Sequence, residues 1–347
     1  MKDLGQCVSE KNIRKKIYTV SVGVTGRCNC NCTYCHYFKS RSRQKFAYDI
    51  SDSQFDIYMR FIKLCNEYVD GKLSYRFSGG EPMVLGERLF KLANKGFSIT
   101  NVRPFILTAG KAMNKSWVLA AQNSAISHAF VSVENPIFPD SGAPNPKRIV
   151  HLIKEYNTDK FPIRAGVCVI PTKAFRNLYD ICAWFLDELG YIPLICEINY
   201  DSYQRPTENE WMDLQKVLYD VVHDFGSVTP LNLFSSIIPE YAYGGDDPYL
   251  FELNLENSYN LSQDNLGNKI EEVIKGVHTV SYQPLTCPQT ECPWQDVCSH
   301  TKWYWQCDRV LSREEKLKDY CRFKRISSDA YYKVFVDRDH VETECSI

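Results

Sequence analysis

No stretch of this sequence is apolar for long enough to cross a bilayer as a helix. The opening residues, MKDLGQCVSEKNIRKKIY, hold no apolar core of the kind a secretory signal needs. A bias of charge is missing too: 41 basic and 42 acidic residues leave a net charge of -1. That balance speaks against a nucleic-acid surface and against a field that gathers acidic substrates. Neither an internal repeat nor a low-complexity tract breaks the chain, which sets aside repeat architectures. What these absences leave is a cytoplasmic globular protein with no membrane or nucleic-acid partner. Its 347 residues, 44% hydrophobic and 24% charged, suffice for one large domain and a smaller one.

Cysteine is the residue in excess. Fifteen are present, and disulfides are not expected in a cytosolic chain, so metal binding or redox chemistry is the better account. Four lie between 28 and 35 and five between 287 and 321. Of the rest, Cys65, Cys168, Cys182 and Cys196 sit in apolar segments and read as small buried hydrophobes.

Apolar periodicity predicts strands at 18–24, 73–77, 105–108, 129–133, 164–170 and 192–198. It predicts helices at 53–69, 86–95 and 115–122, from Pro146, at 174–189, and from a Thr207/Glu210 capping box to about 224. Six strands alternating with six helices imply parallel strands joined by right-handed crossovers. The expected fold is α/β, a partial (β/α)6 TIM-like barrel, with a doubly wound open sheet as the competing topology. Either way the chemistry belongs at the C-terminal ends of the strands. The alternation stops near 226. The expected division is a short extension (1–17), the barrel (18–225) and a small cysteine-rich C-terminal domain (226–347).

The first cysteine cluster directly follows the first strand. Cys28, Cys32 and Cys35 are spaced Cys-x3-Cys-x2-Cys, and three thiolates of one loop can each bind one corner iron of a cubane. The fourth iron is then open to a chelating small molecule. A structural zinc site is the competing account; it needs a fourth ligand, for which His36 is available. The loop resembles the signature of the radical S-adenosylmethionine superfamily. The resemblance implies a [4Fe-4S] cluster whose open iron chelates the methionine moiety of S-adenosylmethionine. It implies reductive cleavage to methionine and a 5′-deoxyadenosyl radical, with Tyr34 near the adenine. Cys30 does not fit the spacing and reads as a free thiol.

Further pieces occur in the order that family requires. Ser78-Gly79-Gly80-Glu81-Pro82 follows the second strand; its glycines permit close backbone approach to a ligand, and Glu81 can accept from an ammonium group. It matches the element that binds the methionine amino group. Thr108-Ala109-Gly110 ends the third strand and is similar to a Thr-Asn-Gly element, with Ala109 departing from it. Ser132 and Glu134 end the fourth strand where relatives contact the ribose, Glu standing in place of Asp. Ala165-Gly166-Val167 on the fifth strand falls where relatives line the adenine pocket.

The second cluster, Cys287, Cys292, Cys298, Cys307 and Cys321, looks like a SPASM or twitch extension. It departs from the full pattern in its gaps and lacks the early ligands, since no cysteine lies between 197 and 286. Five thiolates cannot fill two four-ligand clusters. The resemblance therefore implies one auxiliary [4Fe-4S] cluster on Cys287, Cys292, Cys298 and Cys321, with Cys307 as the alternative to Cys321. A zinc knuckle is the plainer alternative.

The implied enzyme takes an electron from a flavodoxin- or ferredoxin-type reductant and abstracts hydrogen from a substrate carbon. A ribosomally made peptide, crosslinked or epimerised, is the first expectation for its substrate; a separate protein could then recognise the leader. A small molecule, as in sugar or aminocyclitol dehydrogenases and epimerases, is the alternative, and a non-catalytic zinc scaffold the remote one. An epimerase needs a hydrogen donor, for which Cys168 and Cys196 are candidates.

Overall fold

The computed structural model describes residues 18–33, 35, 48–68, 73–196, 206–225, 250–253 and 260–270, with 321–322, 325–327, 329–330 and 332–334 near the C-terminus. Six of its strands are β1 (Tyr18–Thr25), β2 (Leu73–Gly79), β3 (Phe105–Thr108), β4 (Ala129–Glu134), β5 (Ile163–Val169) and β6 (Leu194–Cys196). Between and after them run helices α1 (Asp52–Tyr68), α2 (Glu87–Thr100), α3 (Lys115–Gln122), α4 (Pro146–Tyr156), α5 (Leu178–Leu189) and α6 (Glu208–Phe225). Each expected element is present, with ends shifted by a few residues. The largest differences are at α2, which runs on to Thr100, and at the segment 172–177, which is a 3₁₀ turn leading into α5.

Among the described residues the strands pair in parallel, and the sheet order is β6-β5-β4-β3-β2-β1-β7. From β1 to β6 the order never reverses, so every crossover steps the same way. A doubly wound sheet needs a reversal at its centre. The partial barrel is therefore the correct topology. The added strand β7 (Leu250–Leu253) pairs with the outer edge of β1, beyond the boundary expected at 225. β7 follows the end of the strand–helix alternation, so no repeat of that pattern points to it in the sequence.

The core lies between the sheet and its helices. Val20, Val22, Tyr75, Phe77, Ile106, Val131 and Ile163 are buried there, with Phe77 edge-on to Phe55 of α1 at 6.1 Å between centroids. Strand alternation turns the intervening residues of β1 and β2 to the other face. There Thr19 meets Ser74 at 3.0 Å, Ser21 meets Ser78 at 2.7 Å, and Arg76 Nε donates to Ser21 at 3.2 Å. Cys65, Cys168 and Cys182 are fully buried, as their apolar settings imply.

The caps are local. Thr207 and Glu210 form the reciprocal capping box, with backbone N–H to side-chain distances of 2.7 and 3.3 Å. Pro146 opens α4 behind Asn145, whose side chain accepts from Arg148 N. The C-terminal pieces join the same body: Arg322 pairs with Glu208 and lies over the Trp211 ring, and Ile326, Ala330 and Val334 are buried in the core.

Phe77 is fully buried, with the rings of Phe55 and Tyr75 edge-on to it, so Phe77→Ala leaves a cavity in the core. It should destabilise the protein by about 3–5 kcal/mol, seen as a lower urea midpoint.

Candidate active site

The loops that follow β1, β2, β3 and β4 gather at the C-terminal edge of the sheet, and each contributes to one site. The first begins at Gly26. Its start is fixed by an antiparallel bridge between Thr25 and Asp49, with Gly26 N donating to Tyr48 O at 3.0 Å and Ile50 N to Val24 O at 3.0 Å. Asp49 takes Thr25 Oγ1 at 2.7 Å and both ends of the Arg27 guanidinium at 2.8 and 2.7 Å. Burial pushes the Asp49 carboxyl up, but Arg27 and Thr25, with Arg88 adding its charge, hold it below its ordinary value.

Cys28, Cys32 and Cys35 are half-buried, while Cys30 is buried. Cys30 N donates to Cys28 Sγ at 3.3 Å. Hydrogen bonding from the Cys30 thiol and backbone, helped by the charge of Lys111, brings Cys28 down to about 7 against the effects of burial and Glu81. The same bonds, to Cys28 and Cys32, drive Cys30 up and keep it a protonated thiol. The Cys30 thiol itself donates to Asn29 Oδ1 at 3.6 Å. Among the described residues no three His, Cys, Asp or Glu side chains converge on one point as ligands of a single ion do. A cubane asks for something else, since each thiolate binds its own iron. Tyr34 and His36 lie outside the described residues.

Gly79 and Gly80 carry the second loop across the first. Gly79 has φ +124°, and a Cβ there would stand 2.2 Å from Thr25 O. A Cβ on Gly80 would stand 2.3 Å from Arg27 O. The close approach these glycines allow is thus to the backbone leading into the cysteine loop. Two hydrogen bonds seal it, Gly80 N to Thr25 O and Glu81 N to Arg27 O, each 2.8 Å.

Glu81 is buried and turns inward. Its Oε1 accepts from Met83 N at 2.9 Å and from Thr108 Oγ1 at 2.6 Å; its Oε2 accepts from Ala109 N at 2.8 Å. Burial pushes the carboxyl up, and these three donors pull it back. A carboxylate offers about four acceptor positions, so one remains on Oε2. The contact of Ala109 with Glu81 is made by its backbone.

Ser132 and Glu134 end β4 just past a register shift that also displaces β5. Glu134 is buried, and its Oε2 accepts from Asp140 N at 3.3 Å. The 135–145 loop then reaches the cysteine loop: Asp140 Oδ2 accepts from Thr33 N at 3.0 Å and from Thr33 Oγ1, and Gly142 O accepts from Asn31 N at 2.9 Å. Lys111 Nζ, from the β3 loop, donates to Asn29 O at 2.6 Å. Asp140, Gly142 and Lys111 escaped the sequence analysis, because polar loop residues more than 80 positions from their partners leave no periodic signal.

Cys168 is placed in the fully buried core beside its register partner Val133, where no substrate can approach it. Cys196 ends β6, and its side chain lies outside the described residues, as do Cys287, Cys292, Cys298 and Cys307. Cys321 is half-buried and adjoins Arg322, which is anchored on α6.

No family model matches the chain. The solved structure of native anSMEcpe with bound AdoMet and the Cp18Cys peptide superimposes with a TM-score of 0.59 at 18% identity, over 92% of this chain and 97% of that one. Native anSMEcpe with bound AdoMet gives 0.60 at 16% identity over the same shares. The chain therefore shares the fold of anSMEcpe. In sequence, the chain is 31% identical over 96 residues to the cysteine-type anaerobic sulfatase-maturating enzyme of Clostridium perfringens (strain 13 / Type A). That stretch is 26% of this chain and 25% of the clostridial one, so the chain matches about a quarter of its curated relative's length.

The lowered Asp49 carboxyl gives a test of how the loop start is held. Its stabilisation is complete above the unfolded value, about 4, and is lost as pH falls through the lower folded value. Half-exposed Arg27 limits the effect to about 1 kcal/mol. Asp49→Asn should lower stability at pH 7 and reduce the loss between pH 4 and pH 2, measured by urea unfolding across that range.

Proposed function

We propose that this protein is a radical S-adenosylmethionine enzyme that abstracts hydrogen from a carbon of a peptide substrate. The observation that carries the reading is the pairing of three half-buried thiols after β1 with a buried, nearly saturated carboxylate after β2. Cys28, Cys32 and Cys35 would hold a [4Fe-4S] cluster. When bound, that cluster supplies the electron that breaks a sulfur–carbon bond of S-adenosylmethionine, releasing methionine and the 5′-deoxyadenosyl radical that attacks substrate.

The chain's own part is to bind and orient. The remaining acceptor position of Glu81 suits an ammonium group, since a desolvated carboxylate gains most from a cation. Thr108 and Ala109 hold that carboxylate in one rotamer. Ser132 is the candidate for the ribose, together with Glu134, which also holds Asp140 N, and Tyr34 the candidate for the adenine. The peptide assignment is supported by the fold shared with anSMEcpe, which is solved with a bound peptide. An auxiliary [4Fe-4S] cluster on Cys287, Cys292, Cys298 and Cys321, with Cys307 as alternate, and reduction by a flavodoxin or ferredoxin complete the proposal. The barrel spans 18–225, extended by β7, and the auxiliary domain follows.

Anaerobic reconstitution should load about eight irons per chain for two cubanes. With dithionite and S-adenosylmethionine the protein should form 5′-deoxyadenosine, detected by chromatography. Cys28→Ala should abolish that product, and a variant still making it would overturn the ligand assignment. Glu81→Gln should retain iron yet weaken S-adenosylmethionine binding at least tenfold by calorimetry, because the amide presents a donor where a cation is to sit.

A further inference from the structure

The residues flanking Cys32 are both gripped by one loop from across the sheet. Asn31 N donates to Gly142 O at 2.9 Å, and Thr33 offers its N–H at 3.0 Å and its hydroxyl to Asp140 Oδ2. The other Asp140 oxygen is not idle: Oδ1 accepts from Gly142 N at 2.8 Å, which fixes the carboxylate relative to the carbonyl that holds Asn31. The fit is close. A Cβ on Gly142 would lie 2.0 Å from Asn31 O and 2.9 Å from Cys32 N.

The loop behind this grip is stiff. Pro136, Pro139 and Pro144 restrict its backbone. Asn135, fully buried, accepts from Ile137 N at 3.2 Å and Phe138 N at 2.7 Å and donates to Phe138 O at 3.1 Å. Phe138 packs on the core, and Glu134 Oε2 accepts from Asp140 N. The cysteine loop is therefore braced on a rigid support anchored at the end of β4.

We propose that Asp140 is a positioning residue that sets the place of Cys32 within the cysteine loop, and with it the place of the metal centre relative to Glu81. The last step rests on the function proposed above; the brace itself does not. Without Asp140, Thr33 N and Gly142 N lose their acceptor, and the Cys32 segment is free to shift. Cys28 would stay held, because Arg27 is fixed by Asp49 and by Glu81 N.

The test has two arms. In the metal-free protein, hydrogen–deuterium exchange read by mass spectrometry should show peptides spanning 28–35 exchanging at least tenfold faster in Asp140→Ala than in wild type. Peptides from β1 and β2 should be unchanged. Equal exchange in the 28–35 peptides overturns the brace. In the reconstituted protein, Asp140→Ala should keep its iron, lower 5′-deoxyadenosine formation at least tenfold, and alter the change that S-adenosylmethionine makes in the paramagnetic spectrum of the reduced centre. Thr33→Val, which deletes only the hydroxyl donor, should fall between, and Thr33→Ser should restore wild-type behaviour. A wild-type spectrum and rate in both Asp140→Ala and Thr33→Val overturn the positioning role. Should Asp140→Ala fail to fold, Thr33→Val decides alone. If wild type itself binds no iron, the functional proposal fails, while the exchange arm still judges the brace.

Discussion

The site depends on one contact between two backbones. Where β1 and β2 end, Gly79 and Gly80 cross the carbonyls of Thr25 and Arg27 at a distance that leaves no room for a side chain. Parallel strands diverge through their twist, and loops leaving them would ordinarily separate. Here two hydrogen bonds of 2.8 Å tie the loops together instead. The residue after Arg27 is Cys28, and the residue after Gly80 is Glu81. A single van der Waals limit thereby sets the spacing between the thiol loop and the carboxylate. Everything added later, the Asp49 bridge, the Lys111 contact and the Asp140 brace, steadies a geometry that this crossing defines.

Glu81 shows how such a site tolerates a buried charge. An isolated carboxylate at that depth would be driven to protonate. Three donors from two segments, Met83 after β2 and Thr108 with Ala109 at the end of β3, oppose that pressure without meeting it in full. The residual deficit matters more than the bonds already made. A fully satisfied carboxylate has nothing left to offer a ligand, and an unsatisfied one would disorder its own surroundings. One open position in a dry setting favours a cation with directional donors.

Much of this was legible in the sequence, and the reasons divide cleanly. The β1–β6 alternation, Pro146 at the start of α4 and the Thr207/Glu210 box are local features whose signal lies within a few residues. The position of the cysteine triad after β1 and of Gly79-Gly80-Glu81 after β2 is legible once the strands are placed, because strand ends of one sheet share an edge. The purpose of the glycines is not. Close approach can serve a ligand or another stretch of chain, and only the fold shows that it serves Thr25 and Arg27. Nor does β7 declare itself, since it falls beyond the strand–helix alternation that marks the other six strands. Cys168 is different: its apolar setting already reads as that of a small buried hydrophobe, and the structure buries it beside Val133.

The proposed site draws on the loops after β1 to β4, where Glu81 is held by Met83, Thr108 and Ala109 and the thiol loop by Lys111, Asp140 and Gly142. The face of the sheet opposite the helices is less uniform. Across β1 and β2 it carries hydroxyls and Arg76, bonded to one another; across β3 and β4 it carries Phe105 and Phe130, edge-on at 5.6 Å. The two halves also differ in where they lie. Phe105 and Phe130 stand at the starts of β3 and β4 and pack on His128, so the aromatic patch belongs to the end of the sheet away from the thiol loop and Glu81. Ser21 and Ser78 stand further along β1 and β2, so the part of this face nearer the site is the polar one.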